Sequence, residues 1–166
     1  SDVPTFTYGI NLNLDYKNFF LSAFGQGVRG TSVGFESEQV WAFFLNSAPR
    51  EYHLGRWTTE NQNPNATYPR IYGGSSLDNY NQNFSDFQLF SADYFRFKSI
   101  TLGYSLPKPV AERLKLGAAK VFVTGENLFT IRMEKKMKDF DPESSTGRGL
   151  GALGVKSLAL GLNINF

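Results

Sequence analysis

Residues 155–166 read VKSLALGLNINF. Leu158, Leu160, Leu162, Ile164 and Phe166 fall on one parity, and Ser157, Ala159, Gly161, Asn163 and Asn165 on the other. Side chains alternate across a strand with period two, so this stretch makes a strand with one wholly apolar face and one small or polar face. A soluble sheet buries such a face under helices or a second sheet, and this chain offers little to cover it. The other solvent that accepts such a face is lipid. A transmembrane β-strand runs roughly 9–11 residues with apolar side chains outward and polar ones toward the lumen. An aromatic residue at the very end suits the interfacial girdle. The stretch is therefore expected to be a strand of an outer-membrane barrel.

The same alternation appears near the other end. Tyr8, Ile10, Leu12, Leu14 and Tyr16 oppose Thr7, Gly9, Asn11, Asn13 and Asp15. Lys17-Asn18 is a two-residue turn of the kind that joins antiparallel neighbours. Beyond it, Leu21 and Ala23 share one face, with Ser22, Phe24 and Gln26 on the other. Tyr94–Leu106 is the third strand. Its apolar choice switches parity near Lys98-Ser99, so either a bulge sits there or Arg96 and Lys98 lie above the hydrocarbon band among anionic head groups. We favour the second reading. Pro107 and Pro109 stop the strand, one helical turn over Val110–Leu116 follows, and Lys120–Ile131 is the fourth strand. The expectation is all-β: five antiparallel transmembrane strands near residues 5–16, 19–28, 93–106, 119–131 and 154–166. Leu12, Leu21, Leu102, Val123 and Leu160 are expected to face lipid, and Phe95 and Phe97 to point away from it. Segments of about 28–92 and 132–153 are expected to be long extracellular loops.

Composition agrees. Among 166 residues, 41% are apolar, 19% are charged and aromatics reach 16%, a balance that fits apolar bands with aromatic girdles. The net charge of +2 is too small to argue for nucleic acid. Absence of cysteine excludes disulfides and thiolate sites. The longest apolar run, Val40–Leu45, is too short for a membrane helix. The opening SDVPTF carries no initiator Met and no secretory apolar segment, as expected of a mature or internal piece.

The residues favour binding over catalysis. The single histidine, His53, has no Cys partner and lacks what a zinc site or a Ser-His-Asp triad requires. Asp139, Asp141 and Glu143 are alternating carboxylates of a type that holds calcium, but a solvated loop with a Pro turn accounts for them better, so neither metal nor cofactor is expected. Glu126 and Lys120 share a parity and suit half of an ion pair. Gly147–Gly154 lacks the Lys-Ser/Thr of a phosphate loop. The long segment from Gly27 to Ala92 is too long and too aromatic for a mere connector. Within it, Ser37–Asn46 reads as a short helix with Ser37 at its N-cap. Trp41, Trp57, Tyr68, Arg70, Tyr72, Asp78 and Tyr80 are the candidate ligand- or partner-binding residues, because flat apolar faces interleaved with hydrogen-bonding groups read both sugars and peptides. For any one of them, packing of the loop against itself is the simpler reading.

Several runs bring a family into view. Residues 93–107, DYFRFKSITLGYSLP, resemble the YLRLKNITLGYTLP signature of SusC/RagA-like TonB-dependent outer-membrane transporters. Gly125–Thr130 (GENLFT) resembles that family's GxNLFT segment, Asp141-Pro142-Glu143 its DPE loop, and Leu160–Phe166 its terminal strand. Tyr8–Leu12, Gln26–Val28 and Trp57–Arg70 are also similar to it. The resemblance implies the C-terminal part of a barrel of about 22 strands, with plug and TonB-contacting segment N-terminal and absent from this chain. It implies active import of oligosaccharides or peptides, energised through TonB, together with a SusD-like surface lipoprotein, and no enzymatic activity. Five strands fall short of the bacterial single-chain minimum of about eight, so the rest of the barrel is an expected partner. The alternative is a soluble β-sandwich carbohydrate-binding module, whose two sheets would turn their apolar parities toward each other.

Overall fold

The computed structural model describes residues 2–35, 41–44, 47–71, 83–135, 138, 140–143 and 154–166. Its strands are β1 (Phe6–Tyr16), β2 (Phe19–Arg29), β3 (Ser32–Gly34), β4 (Leu89–Ser91), β5 (Tyr94–Ser105), β6 (Ala118–Arg132) and β7 (Ser157–Asn165), with one short helix, α1 (Lys108–Arg113). The five long strands form one sheet in the order β1-β2-β5-β6-β7, while β3 and β4 pair separately. Each long strand lies within three residues of its expected bounds. The chain divides into two compact units, one of residues 1–4, 30–93 and 132–153, and one of residues 5–29, 94–131 and 154–166.

The second unit is the five-stranded sheet. Tyr16 pairs with Phe19 across the Lys17-Asn18 turn, where Lys17 takes a left-handed φ of 55°. Ile10 faces Gly25, Leu12 faces Ala23 and Leu14 faces Leu21. Leu21 faces Leu102 and Ala23 faces Ile100, and Val121 and Val123 face Leu162 and Leu160. Residues paired directly across a ladder point the same way, so one face is apolar from β1 to β7. Leu158, Leu160 and Leu162 are 73, 78 and 65% exposed. Leu12, Leu102 and Val123 are exposed as well, and Leu21 is half-buried.

The opposite face is polar with aromatic fill. Ser22 donates to Asn13 at 2.8 Å, the Thr101 and Thr124 hydroxyls meet at 2.9 Å, and Ser157 donates to Glu126 at 3.0 Å. Lys120 sits 5.8 Å from the Phe20 ring centroid. Glu126 and Lys120 thus take separate partners and do not form the ion pair their parity suggested. A Cβ at Gly103 would run into the Phe20 ring, and one at Gly161 into the Phe122 ring.

The parity switch in β5 is a bulge, which corrects the reading favoured from sequence. Phe24 pairs with Ser99, but its neighbour Gly25 pairs with Phe97, leaving Lys98 as the extra residue. Beyond the bulge, Phe97 opposes Gly25 and Phe95 opposes Gly27. Both rings therefore lie on the apolar face. Arg96 opposes Gln26 instead. It is 3% exposed, donates from Nε to the Thr130 hydroxyl at 2.9 Å and lies 5.7 Å from the Tyr94 ring centroid. It does not reach outward to head groups. The physical reason is space. Gly25 and Gly27 leave a hollow that the Phe95 and Tyr8 rings fill. Tyr8 stacks on Phe95 at 5.9 Å and on Phe6 at 5.7 Å, and Phe97 meets Phe95 edge-on at 5.2 Å.

Two smaller features follow local rules. The expected single helical turn is α1, which begins beside Pro107 with Pro109 in its first turn, where a missing N–H is harmless. It ends when Leu116 donates to Ala111 at 2.9 Å with Lys115 at φ 58°, a left-handed C-terminal cap. Asn127 carries a φ of 52° inside β6, a conformation Asn tolerates better than branched residues, and donates to the Val155 carbonyl at 3.2 Å.

The first unit has its own small core. Phe35, Phe90 and Phe140 are buried together, with Val33, Trp41 and Tyr52 packed against them. The Arg50 guanidinium lies 5.0 Å from the Phe140 ring centroid. Of the helix expected over Ser37–Asn46, only Trp41–Phe44 are described. They form a turn in which Phe44 donates to Trp41 at 3.4 Å, and the remainder lies outside the described residues.

Two substitutions test these devices. Gly25→Val places a side chain where the Phe95 ring lies, and overpacking of this kind costs about 1–3 kcal/mol. The expected outcome is a lower urea midpoint for the assembled protein, with Phe95→Ala in the same background recovering part of it. Asn127→Val forces a β-branched residue into the left-handed region and removes the bond to Val155. It should lower the midpoint more than Asn127→Gly does.

Candidate functional site

The described cavity that combines charge with an aromatic wall lies inside the first unit. It has a volume of about 610 Å³ and is lined by Glu51, Tyr52, Arg132, Glu134, Lys135 and Lys138, with Gly55 and Thr67 at its wall. Ligand pockets run to about 300–1,000 Å³, so it is large enough for a small ligand.

One wall is built by the turn of 3-10 helix Glu51–Gly55. His53 organises it. Its Nδ1 accepts from the Arg50 N–H at 2.7 Å, and its ring packs on Tyr52 at 4.1 Å and edge-on to Tyr68 at 4.5 Å. At 2% exposure it is a core histidine. The segment 67–68 locks on from the side: Thr67 donates from its hydroxyl to the Tyr52 carbonyl at 2.8 Å, its N–H donates to Gly55 at 2.9 Å, and Trp57 N–H donates to Tyr68 at 2.9 Å. A Cβ at Gly55 would strike the Thr67 hydroxyl, so the wall admits only glycine there without rearrangement.

The other wall is the segment that leaves β6. Met133 N–H donates to the Asp93 carbonyl at 3.1 Å, which fixes the start of residues 132–135. Lys138 forms a salt bridge to Glu51. Arg132 Nε is buried and has no hydrogen-bond partner. The described lining residues carry three cations, Arg132, Lys135 and Lys138, and two carboxylates, Glu51 and Glu134.

A scan against protein-family models finds no match. Among curated proteins, the chain is 26% identical over 174 residues to TonB-dependent receptor P3 of Formosa agariphila, covering 98% of the chain and 16% of that protein. It is 27% identical over 165 residues to TonB-dependent receptor P26 of the same organism, with the same two coverages. Its fold is similar to solved structures of the RagAB peptide importer in its open-open state, with a TM-score of 0.71 at 21% identity over 100% of the chain and 18% of that one, and of the RagAB peptide transporter, at 0.66 and 22%. Over nearly its whole length the chain is similar to TonB-dependent receptors. It spans about a sixth of the length of the curated relatives it matches.

The structure distributes the residues singled out from sequence unevenly. Tyr68 is 2% exposed and Trp41 packs on the phenylalanine core, meeting Phe44 edge-on at 4.9 Å, so both rings are occupied by packing. Trp57 is half-buried and Arg70 exposed. The Thr59 hydroxyl, 2.7 Å from the Glu60 carboxylate, holds that group below the usual range, with the Arg70 charge adding to it. Tyr72, Asp78 and Tyr80 lie outside the described residues. So does Asp139, while Asp141 accepts from the Glu143 N–H at 2.9 Å in a local turn. Among the described residues no group of three His, Cys, Asp or Glu side chains gathers to hold a metal. Sequence reasoning missed the cavity. Its one signal was the density of lysine and arginine in RMEKKMK, residues 132–138, read there only as the start of the loop over 132–153.

Tyr68 supplies a pH test of this unit. Burial pushes its phenol above the usual value, so it stays neutral in the fold at a pH where the unfolded chain ionises. The stability this contributes is complete below about pH 10 and is lost as pH rises from there through the raised folded value. In difference titrations against Tyr68→Phe, the phenolate absorbance belonging to Tyr68 should appear later than that of the exposed tyrosines, and together with loss of the unit's structure.

Proposed function

We propose that this chain forms the C-terminal part, residues 1–166, of an outer-membrane barrel of about 22 strands that imports peptides or oligosaccharides. The plug and TonB-contacting region belong to other parts of the protein. The observation that carries this reading is the apolar face from Ile10 and Leu12 through Leu102 and Val123 to Leu160 and Leu162, whose named residues are exposed on β1, β5, β6 and β7. Lipid is the solvent for that face, and the polar face with Arg96, Thr101, Thr124 and Lys120 lines the lumen. Phe6, Tyr8, Phe95 and Phe97 form an interfacial aromatic girdle. The short connections at 17–18 and 106–117 are periplasmic. The segments 28–92 and 132–153 are extracellular, and they meet a SusD-like surface lipoprotein with substrate held between. Within them Trp57, Arg70, Tyr72, Asp78 and Tyr80 contact ligand or partner. Energy comes through TonB. The protein is a transporter component and not an enzyme, in keeping with relatives named as receptors and importers.

A sandwich would need a second sheet of comparable size. Among the described residues, the other sheet consists of β3 and β4 with three residues each, which argues against that alternative.

Two measurements test the reading. The assembled protein should migrate in a heat-modifiable manner in detergent gels, as barrels do and sandwich modules do not. Replacing Tyr72–Tyr80 by a short Gly-Ser linker should reduce lipoprotein co-purification and substrate uptake while the barrel still assembles. Wild-type values of both would reduce the loop to a cap.

A further inference from the structure

We propose that Arg29, at the end of β2, binds the phosphate of an outer-leaflet lipid head group, with the Phe6–Tyr8–Phe95 stack as the platform for the lipid beside it. The proposal rests on the membrane reading above and adds a specific lipid site to it. Arg29 pairs with Phe6 across the β1–β2 ladder, so its side chain leaves the sheet on the face of Phe6, Tyr8 and Leu12. Every other residue of that parity in the two strands, from Phe6 to Tyr16 and from Phe19 to Gly27, is uncharged. Arg29 is exposed, and its guanidinium makes no ion pair or hydrogen bond among the described residues. The backbone beneath it is fixed, because Thr5 N–H donates to the Arg29 carbonyl at 3.0 Å.

Height puts this cation where phosphates lie. β1 and β2 have 11 residues each, roughly 33 Å end to end at about 3.3 Å per residue. At a barrel tilt of about 40° this spans roughly 25 Å along the membrane normal, the height of the apolar band. Phe6 and Arg29 stand at one edge of that band, and Tyr16 and Phe19 at the other. A cation on the lipid face is costly at the midplane and tolerated at the edge, where a phosphate meets the planar guanidinium fork with two parallel bonds. The apolar part of the lipid has a surface to lie on. Phe6 stacks on Tyr8 at 5.7 Å and Tyr8 on Phe95 at 5.9 Å, so the rings run from Arg29 toward the middle of the band. Lys17, beyond the other edge, differs in lying over the Tyr16 ring, 5.3 Å from its centroid. The head-group role that the sequence assigned to Arg96 thus falls to Arg29, since Arg96 turns to the polar face.

The test uses the full assembled protein in detergent, with monophosphoryl lipid A and its dephosphorylated form as probes and inorganic phosphate as competitor. The wild type should bind the phosphorylated lipid about tenfold more tightly than the other. Arg29→Gln should abolish that preference. Arg29→Lys should keep part of it, because the charge stays and the fork goes, and Lys17→Gln should leave it unchanged. Phe6→Ala should weaken both lipids alike. Equal binding of the two lipids by the wild type overturns the proposal, as does a preference that survives Arg29→Gln or one that Lys17→Gln removes as fully. Displacement of the lipid by inorganic phosphate alone also overturns it, since the site would then read free phosphate. Should Arg29→Gln fail to assemble, Arg29→Lys decides, and an undiminished preference there counts against the proposal. Heat-modifiable migration is read separately. A protein that shows it and binds both lipids equally defeats only this inference, whereas one that lacks it and binds neither lipid defeats the membrane reading.

Discussion

Backbone hydrogen bonding between long strands whose apolar side chains all point one way governs most of what this chain does. The sheet satisfies β2, β5 and β6 on both sides, while β1 pairs with β2 alone and β7 with β6 alone among the described residues. In a solvent without water each unpaired N–H or C=O costs several kcal/mol. An apolar face in water is costly as well, at roughly 25 cal/mol for each Å² exposed. The two demands have a joint solution when more strands close the sheet and lipid covers the outside. The chain spans 16% of the length of the curated relatives it matches.

The strands were legible because period two is a local property. Leu158, Leu160 and Leu162 announce a face without reference to any other part of the chain. The bulge was not, because the parity switch at Lys98-Ser99 fits two geometries equally well from within β5. What decides between them is nonlocal. Gly25 and Gly27 stand opposite Phe97 and Phe95, and the missing side chains on β2 create the hollow that draws those rings to the apolar face. Aromatic rings covering strand glycines stabilise a kinked sheet and pin its register. The glycines were visible in the sequence, but their cross-strand partners depend on a register that the bulge itself sets.

The long segment teaches a similar lesson for binding residues. Trp, Tyr and Phe make both cores and ligand platforms, and composition cannot divide them. Trp41 and Tyr68 turn inward, onto the phenylalanine core and onto His53 respectively, while Trp57 and Arg70 keep accessible surface. The cavity escaped notice for a different reason. Glu51 and Lys138, which join its two walls, stand 87 residues apart in sequence, so no local pattern connects them.

Ordering a long irregular segment costs roughly 1–2 kcal/mol of backbone entropy per residue. Here the segment meets much of it internally. Phe35, Phe90 and Phe140 bury one another, Gln88 caps its own helical turn through Ser85 at 2.6 and 2.7 Å, and Asp93 accepts from the Thr31 N–H at 3.0 Å. The wall formed by the Glu51–Gly55 turn and Thr67 is therefore held in place by contacts within its own unit, and a preorganised surface of this kind leaves no folding cost for a binding partner to meet.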